Sequence, residues 1–243
     1  MKKIMHMAVL AFFCGACGLF SLPAAAQDMP SLSIGPQQTT EPAVTDSATI
    51  AMVFARLTGH APDFSGWARQ TEAYKNASPF EQPTIEKNEV QQMQDAFGAL
   101  DTTAPLIVKT QVQLSPYDAN NHGFFVINFK KSTFFPARYA GKFYAIVPQG
   151  IMDKQWLPVS DAATRDAIEK AAAGSKGGQL PMILYLTPSY ADTKPAMIDG
   201  YPYWPLAVTV SKVMLFSADN QTLLWHDYSS DDKTRQSIMN LYQ

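Results

Sequence analysis

The chain has 243 residues, 47% hydrophobic and 16% charged, with 19 basic against 21 acidic side chains and a formal net charge of −2 at pH 7. This is ordinary globular material for one compact domain, or one domain with a small appendage, and it excludes the dense cationic face that a nucleic-acid binder needs to displace counterions, because Lys130-Lys131 is only an isolated pair. Both cysteines, Cys14 and Cys17, stand in an apolar leader, so the rest of the chain can form no disulfide and must be held by packing.

Lys2 and Lys3 precede an apolar run from Ile4 to Leu22 that ends in Ala24-Ala25-Ala26 before Gln27. A basic segment, an apolar core and small residues at the first and third positions before the cut are what a signal peptidase reads. The expectation is a Sec-type signal over residues 1–26, cleavage after Ala26, a periplasmic or secreted mature chain free of cysteine, and no transmembrane segment after cleavage. Two other readings of the leader stay open. One is lipidation at Cys17; the other is an uncleaved anchor, since Ile4 to Leu22 is just long enough to span a bilayer.

Residues 27–45 carry Pro30, Pro36 and Pro42 among Ser, Gln and Thr without apolar periodicity, which predicts a flexible linker ahead of a single domain over 46–243. Asp46 or Ser47 caps a first helix with Ile50, Val53, Phe54 and Leu57 on one face, stopped by Gly59 and Pro62. A second helix is expected from Ser65 to about Asn76, and a third from Thr84 to about Leu100 with Val90, Met93, Phe97 and Leu100 turned inward.

After Pro105 the period becomes two, with Val108, Thr110, Val112 and Leu114 alternating with Lys109, Gln111 and Gln113. Asp118 to Gly123 reads as a turn, from which Phe124 to about Lys131 returns as the second strand of a hairpin. Phe143 to Val147 is a third strand, and Ser160 caps an Ala-rich helix that runs to Ala173. Leu180 to Leu186, Leu206 to Phe216 and Thr222 to Tyr228 follow as strands, and the tail from Asp231 is a short helix or frays. The expected fold class is α+β, N-terminal helices followed by a largely antiparallel sheet with one crossover helix.

No metal-binding pattern, phosphate loop or nucleophile elbow occurs, so no catalytic residue, metal or cofactor is assigned. Two candidate binding features stand out. Asp118-Ala119-Asn120-Asn121-His122 gathers polar side chains at one turn, with Asp118 and His122 as candidate site residues. Tyr201-Pro202-Tyr203-Trp204-Pro205 reads as the end of a long Pro-containing loop, where Tyr201, Tyr203 and Trp204 would stack on sugar rings or anchor a protein.

Ser78-Pro79-Phe80-Glu81 before a helix, Ser115-Pro116-Tyr117-Asp118 at the end of a strand and Gly123-Phe124 opening the next resemble, over roughly Ile50 to Tyr228, a bacterial exported family catalogued as a domain of unknown function. The resemblance implies a bacterial envelope origin and carries no active site. The expected function is a non-catalytic accessory or binding module of the periplasm, with an envelope protein or cell-wall glycan as partner. The rival is a hydrolase of envelope polymers using Asp118, His122 or His226.

Overall fold

The computed structural model describes residues 36–228; the leader, the first part of the expected linker and the tail from Asp231 lie outside them. Helix α1 spans Ser47–Thr58 and begins where the Asp46 carboxylate accepts the Thr49 N–H and hydroxyl at 2.8 and 2.9 Å. It stops at Gly59, whose φ of 68° lies in the left-handed region.

The single helix expected over Ser65–Asn76 is two, α2 at Phe64–Ala68 and α3 at Glu72–Asn76. Thr71 causes the break: its hydroxyl donates to the Ala68 carbonyl and accepts the Tyr74 N–H, closing one helix and capping the next. Helix α4 covers Gln82–Ala99, with Pro83 in its first turn and Ser78 bonded to Glu81 just before it. It buries only Met93 fully, and packs on α2 and α3.

The strands are β1 at Gln37–Gln38, β2 at Leu106–Gln113, β3 at Gly123–Phe125, β4 at Phe135–Tyr139, β5 at Lys142–Gln149, β6 at Trp156–Pro158, β7 at Gln179–Ala191, β8 at Ala196–Ile198, β9 at Tyr201–Phe216 and β10 at Thr222–Tyr228, with helix α5 at Ala162–Gly174 between β6 and β7. Strand β9 is the hub. One edge pairs antiparallel with β8 and then β7; the other pairs parallel with β5 over Tyr203–Thr209 and then antiparallel with β10 over Lys212–Phe216. Strand β2 extends the sheet beyond β7, and β4 extends it beyond β5.

The α+β class holds, but the sheet is mixed and nearly barrel-like, where a largely antiparallel one was expected. The parallel β5–β9 join makes the difference. It needs a long connection, which the chain supplies through β6, α5 and β7.

The expected hairpin partner Phe124–Lys131 is mostly not a strand. Gly123–Phe125 pairs with β6 in a separate two-stranded sheet, and the end of β2 is met through the isolated Leu114–Val126 bridge and an Ile127 N–H donated to Gln113 O. Side chains replace the missing ladder: Asn128 bonds Gln111 O and Gln113 N, and the buried Gln155 amide donates to Val126 O and Phe129 O. Two hairpins went unread. Ala140-Gly141 joins β4 to β5 and Asp199-Gly200 joins β8 to β9, with positive φ at all four residues, as two-residue hairpin turns require. Tyr201–Pro205, expected as a loop, is therefore the start of β9.

The latter part of the expected linker is bonded to the domain. Strand β1 pairs with β10, Thr45 exchanges bonds with Ile107 at 2.8 and 2.9 Å, and Glu41 meets Lys109 at 2.9 Å. Strand β1 thus covers part of the edge of β10 and Thr45 part of the outer edge of β2, which would otherwise offer unpaired backbone groups. The main core lies between the sheet's inner face and α1, α2 and α5, around Leu184, Leu186, Leu206, Val208 and Ile168. No helix among the described residues is long and apolar enough to cross a membrane.

Candidate functional site

The β4–β5 turn and the start of β9 end beside α1 and α2, and the gap between them is a cleft of about 460 Å³. Its position follows from local sequence. Gly59 ends α1 and Asp63 starts α2 by accepting the Gly66 N–H at 2.9 Å, so the chain turns sharply over His60–Pro62 and presents Trp67 opposite Phe54. Gly66 has to lack a side chain, because a Cβ there would lie 2.2 Å from the Asp63 carboxylate. On the sheet side the alternation of β5 and β9 sends Tyr144 and its register partner Trp204 toward the helices.

The walls are aromatic and the polar groups sit among them. Phe54 meets Tyr144 edge-on at 5.3 Å, and Trp67 meets Tyr139 edge-on at 4.9 Å. Burial, then the neighbouring Tyr139, pushes the Tyr144 phenol up to about 12, so it is a hydrogen-bond donor at any ordinary pH. Lys142 holds its ammonium 5.6 Å from the centre of the Trp204 ring. His60 Nδ1 lies 2.8 Å from Thr58 O and so carries the proton that carbonyl accepts. Asp63 is the one carboxylate in the lining, and its bond to Gly66 makes it a helix cap. Trp67 and Gln70 also line a second concavity running along Arg138–Gly141, so the cleft continues past the β4–β5 turn.

The residues singled out from sequence fall in three places. Asp118 and His122 lie at their turn, away from the cleft. Asp118 Oδ2 accepts the Asn121 side-chain amide at 2.7 Å and Oδ1 accepts the Asn120 and Asn121 N–H groups; these bonds, led by the Asn121 side chain, hold the carboxyl below its usual range. His122 is exposed, at φ 55°, and its carbonyl accepts the Val159 N–H. The carboxylate is thus saturated by its own turn.

Tyr201 and Tyr203 lie on the outer face of the sheet with Phe143, at ring separations of 5.7 and 5.4 Å, and Phe134 closes on Tyr203 at 5.5 Å. Tyr201 stays 59% exposed. Trp204 faces the other way, into the cleft. His226 is half-buried on β10, and burial, then the Lys212 charge, lowers its pKa.

Sequence reasoning had not identified Lys142, Tyr144 or Gln70, and had read Phe54 and Trp67 only as apolar helix faces. Among the described residues no group of three or more His, Cys, Asp or Glu side chains could hold a metal ion. No family model, curated protein or solved structure matches the chain.

Proposed function

We propose that this chain is an exported protein of the bacterial periplasm that acts as a non-catalytic binding or accessory module of the cell envelope, taking a small ligand in the cleft between α1, α2 and the β4–β5 turn. The observation that carries the reading is the cleft's lining: aromatic walls from Phe54, Trp67, Tyr144 and Trp204, with a few polar groups at separate points, as ligand pockets of this size are built. Flat rings of this kind stack on sugars, which favours a cell-wall glycan fragment among envelope ligands. The hydrolase alternative is less well supported, because glycoside cleavage uses two carboxyl groups and the lining supplies Asp63 alone, engaged as a cap.

The leader motif supports export. The motifs behind the family resemblance have structural roles here: Ser78 and Glu81 bond each other ahead of α4, and Ser115 bonds Phe125 through both backbone and hydroxyl. These roles are local and structural and say nothing of chemistry.

A second reading has its own observation. The outer-face cluster of Phe134, Phe143, Tyr201 and Tyr203, with Tyr201 well exposed, is an aromatic surface suited to an envelope protein partner.

Titrating the purified chain with soluble peptidoglycan fragments tests the first reading. Saturable quenching of tryptophan fluorescence with the fragments recovered intact is the expected result. Fragment cleavage that rises and falls with pH would replace binding with hydrolysis.

A further inference from the structure

We infer that the cleft selects a sugar ring bearing a carboxylate over its neutral counterpart, with Lys142 as the residue that reads the charge; this rests on the cleft being the ligand site proposed above.

The argument starts from unpaired donors. Nε1 of Trp67, Nε1 of Trp204, Oη of Tyr144 and Nζ of Lys142 all belong to lining residues, and none donates to an acceptor among the described residues. Trp67 and Tyr144 are only 8% and 3% exposed, yet their polar atoms are not shut off from solvent. Buried Trp and Tyr ordinarily find a partner for the N–H or O–H. This chain does so elsewhere: Trp225 Nε1 donates to Pro158 O at 2.9 Å and Tyr117 Oη to Val159 O at 3.0 Å. The cleft thus concentrates solvent-accessible donors that have no protein acceptor among the described residues, and a ligand rich in acceptor oxygens can bond them.

The place of the lining's one lysine, beside Trp204, gives the sign. Lys142 has no acidic partner within 4.0 Å among the described residues, although Lys109, Lys154 and Arg69 each have one. The lining's only carboxylate is tied to the start of α2. Arg138, the other cation near the turn, lies 5.2 Å from the Phe143 ring centre. An anion entering the cleft meets, beside the Trp204 ring, an ammonium without a carboxylate partner among the described residues. A ring stacked on Trp204 would lie beside Nζ, in a cleft that Gln70 and His60 also line with polar atoms. A hydrogen bond between Lys142 and a carboxylate is charge-assisted, so the acid should bind markedly tighter than the same ring without the charge.

Calorimetric titration of the purified chain at low salt and pH 7 decides it, using N-acetylmuramic acid against N-acetylglucosamine and glucuronic acid against glucose. The expected result is at least tenfold tighter binding of each acid, with Lys142→Gln abolishing the preference so that each acid binds no tighter than its neutral counterpart. Equal affinities for acid and neutral sugar in the wild type overturn the carboxylate inference while leaving the cleft as a sugar site. Competition by millimolar inorganic phosphate as effective as that by the sugar acid also overturns it, since any anion would then suffice. Absence of binding by all four sugars overturns both the inference and the glycan reading beneath it.

Discussion

Replacing Trp67 by alanine should destabilise the domain by about 4 kcal/mol. The indole is 8% exposed and stands between the helices and the sheet, edge-on to Tyr139 at 4.9 Å and to Phe64 at 5.9 Å. Burying an aromatic side chain removes roughly 150–250 Å² from water, which at about 25 cal/mol per Å² gives some 4–6 kcal/mol as an upper figure. Trp→Ala changes in cores cost about 3–5 kcal/mol, and each edge contact supplies roughly 0.5–1.5 kcal/mol of that. Trp67→Phe keeps one ring against Tyr139 and should lose clearly less. Urea unfolding followed by far-ultraviolet circular dichroism measures the difference. A loss below about 1 kcal/mol for Trp67→Ala would mean that α2 is not docked on the sheet, and the cleft would lose one wall.

Gly123→Ala should weaken the β3–β6 pair and destabilise by roughly 1–3 kcal/mol, the cost of overpacking, because a Cβ there would lie 2.4 Å from the Leu157 carbonyl oxygen and 2.6 Å from the Trp156 ring; an unchanged urea midpoint would contradict the packing described. Tyr144 titrates higher in the folded chain, at about 12, than in the unfolded chain near 10, so the folded state holds the proton more tightly; its contribution to stability is full below pH 10 and is lost between pH 10 and 12. The fall in urea midpoint over that window should be shallower in Tyr144→Phe, and identical slopes would refute the assignment. His226, with its pKa lowered, acts in the other direction: its contribution is present above about pH 6.5 and lost as pH falls, so His226→Gln should flatten the acid-side decline in stability.

Local signals in the sequence carried the elements that depend on local chemistry. Asp46 and Gly59 bound α1, and Thr222–Tyr228 forms β10 over the span its sequence predicts. The break at Thr71 was harder to read, because a threonine inside a helical pattern declares itself as a cap only when its hydroxyl finds both a carbonyl and an N–H. Pro136, Pro202 and Pro205 masked β4 and the start of β9, since proline demotes a strand reading. The turns Ala140-Gly141 and Asp199-Gly200 were legible signs of the same strands.

The parallel join of β5 to β9 has no local signature, because the register brings Tyr144 beside Trp204, sixty positions further along the chain. The cleft inherits that limit. Its lining runs from Ala51 to Trp204, and Phe54 and Trp67 carry the same apolar spacing whether they fill a core or wall a site. Of the expected site residues only Trp204 reached the cleft. Strand alternation separated it from Tyr201 and Tyr203, and Asp118 and His122 shape the turn that made them conspicuous.

The most direct test of the cleft as the ligand site uses the four tryptophan indole N–H resonances, which ¹⁵N labelling resolves individually. Trp67 and Trp204 line the cleft, whereas Trp156 sits on β6 and Trp225 donates to Pro158. Adding soluble peptidoglycan fragments should shift the Trp67 and Trp204 signals in a saturable way, leave those of Trp156 and Trp225 in place, and act equally on a Tyr203→Ala variant. Shifts confined to Trp156 or Trp225, or abolished by Tyr203→Ala, would contradict the account and move binding to another surface.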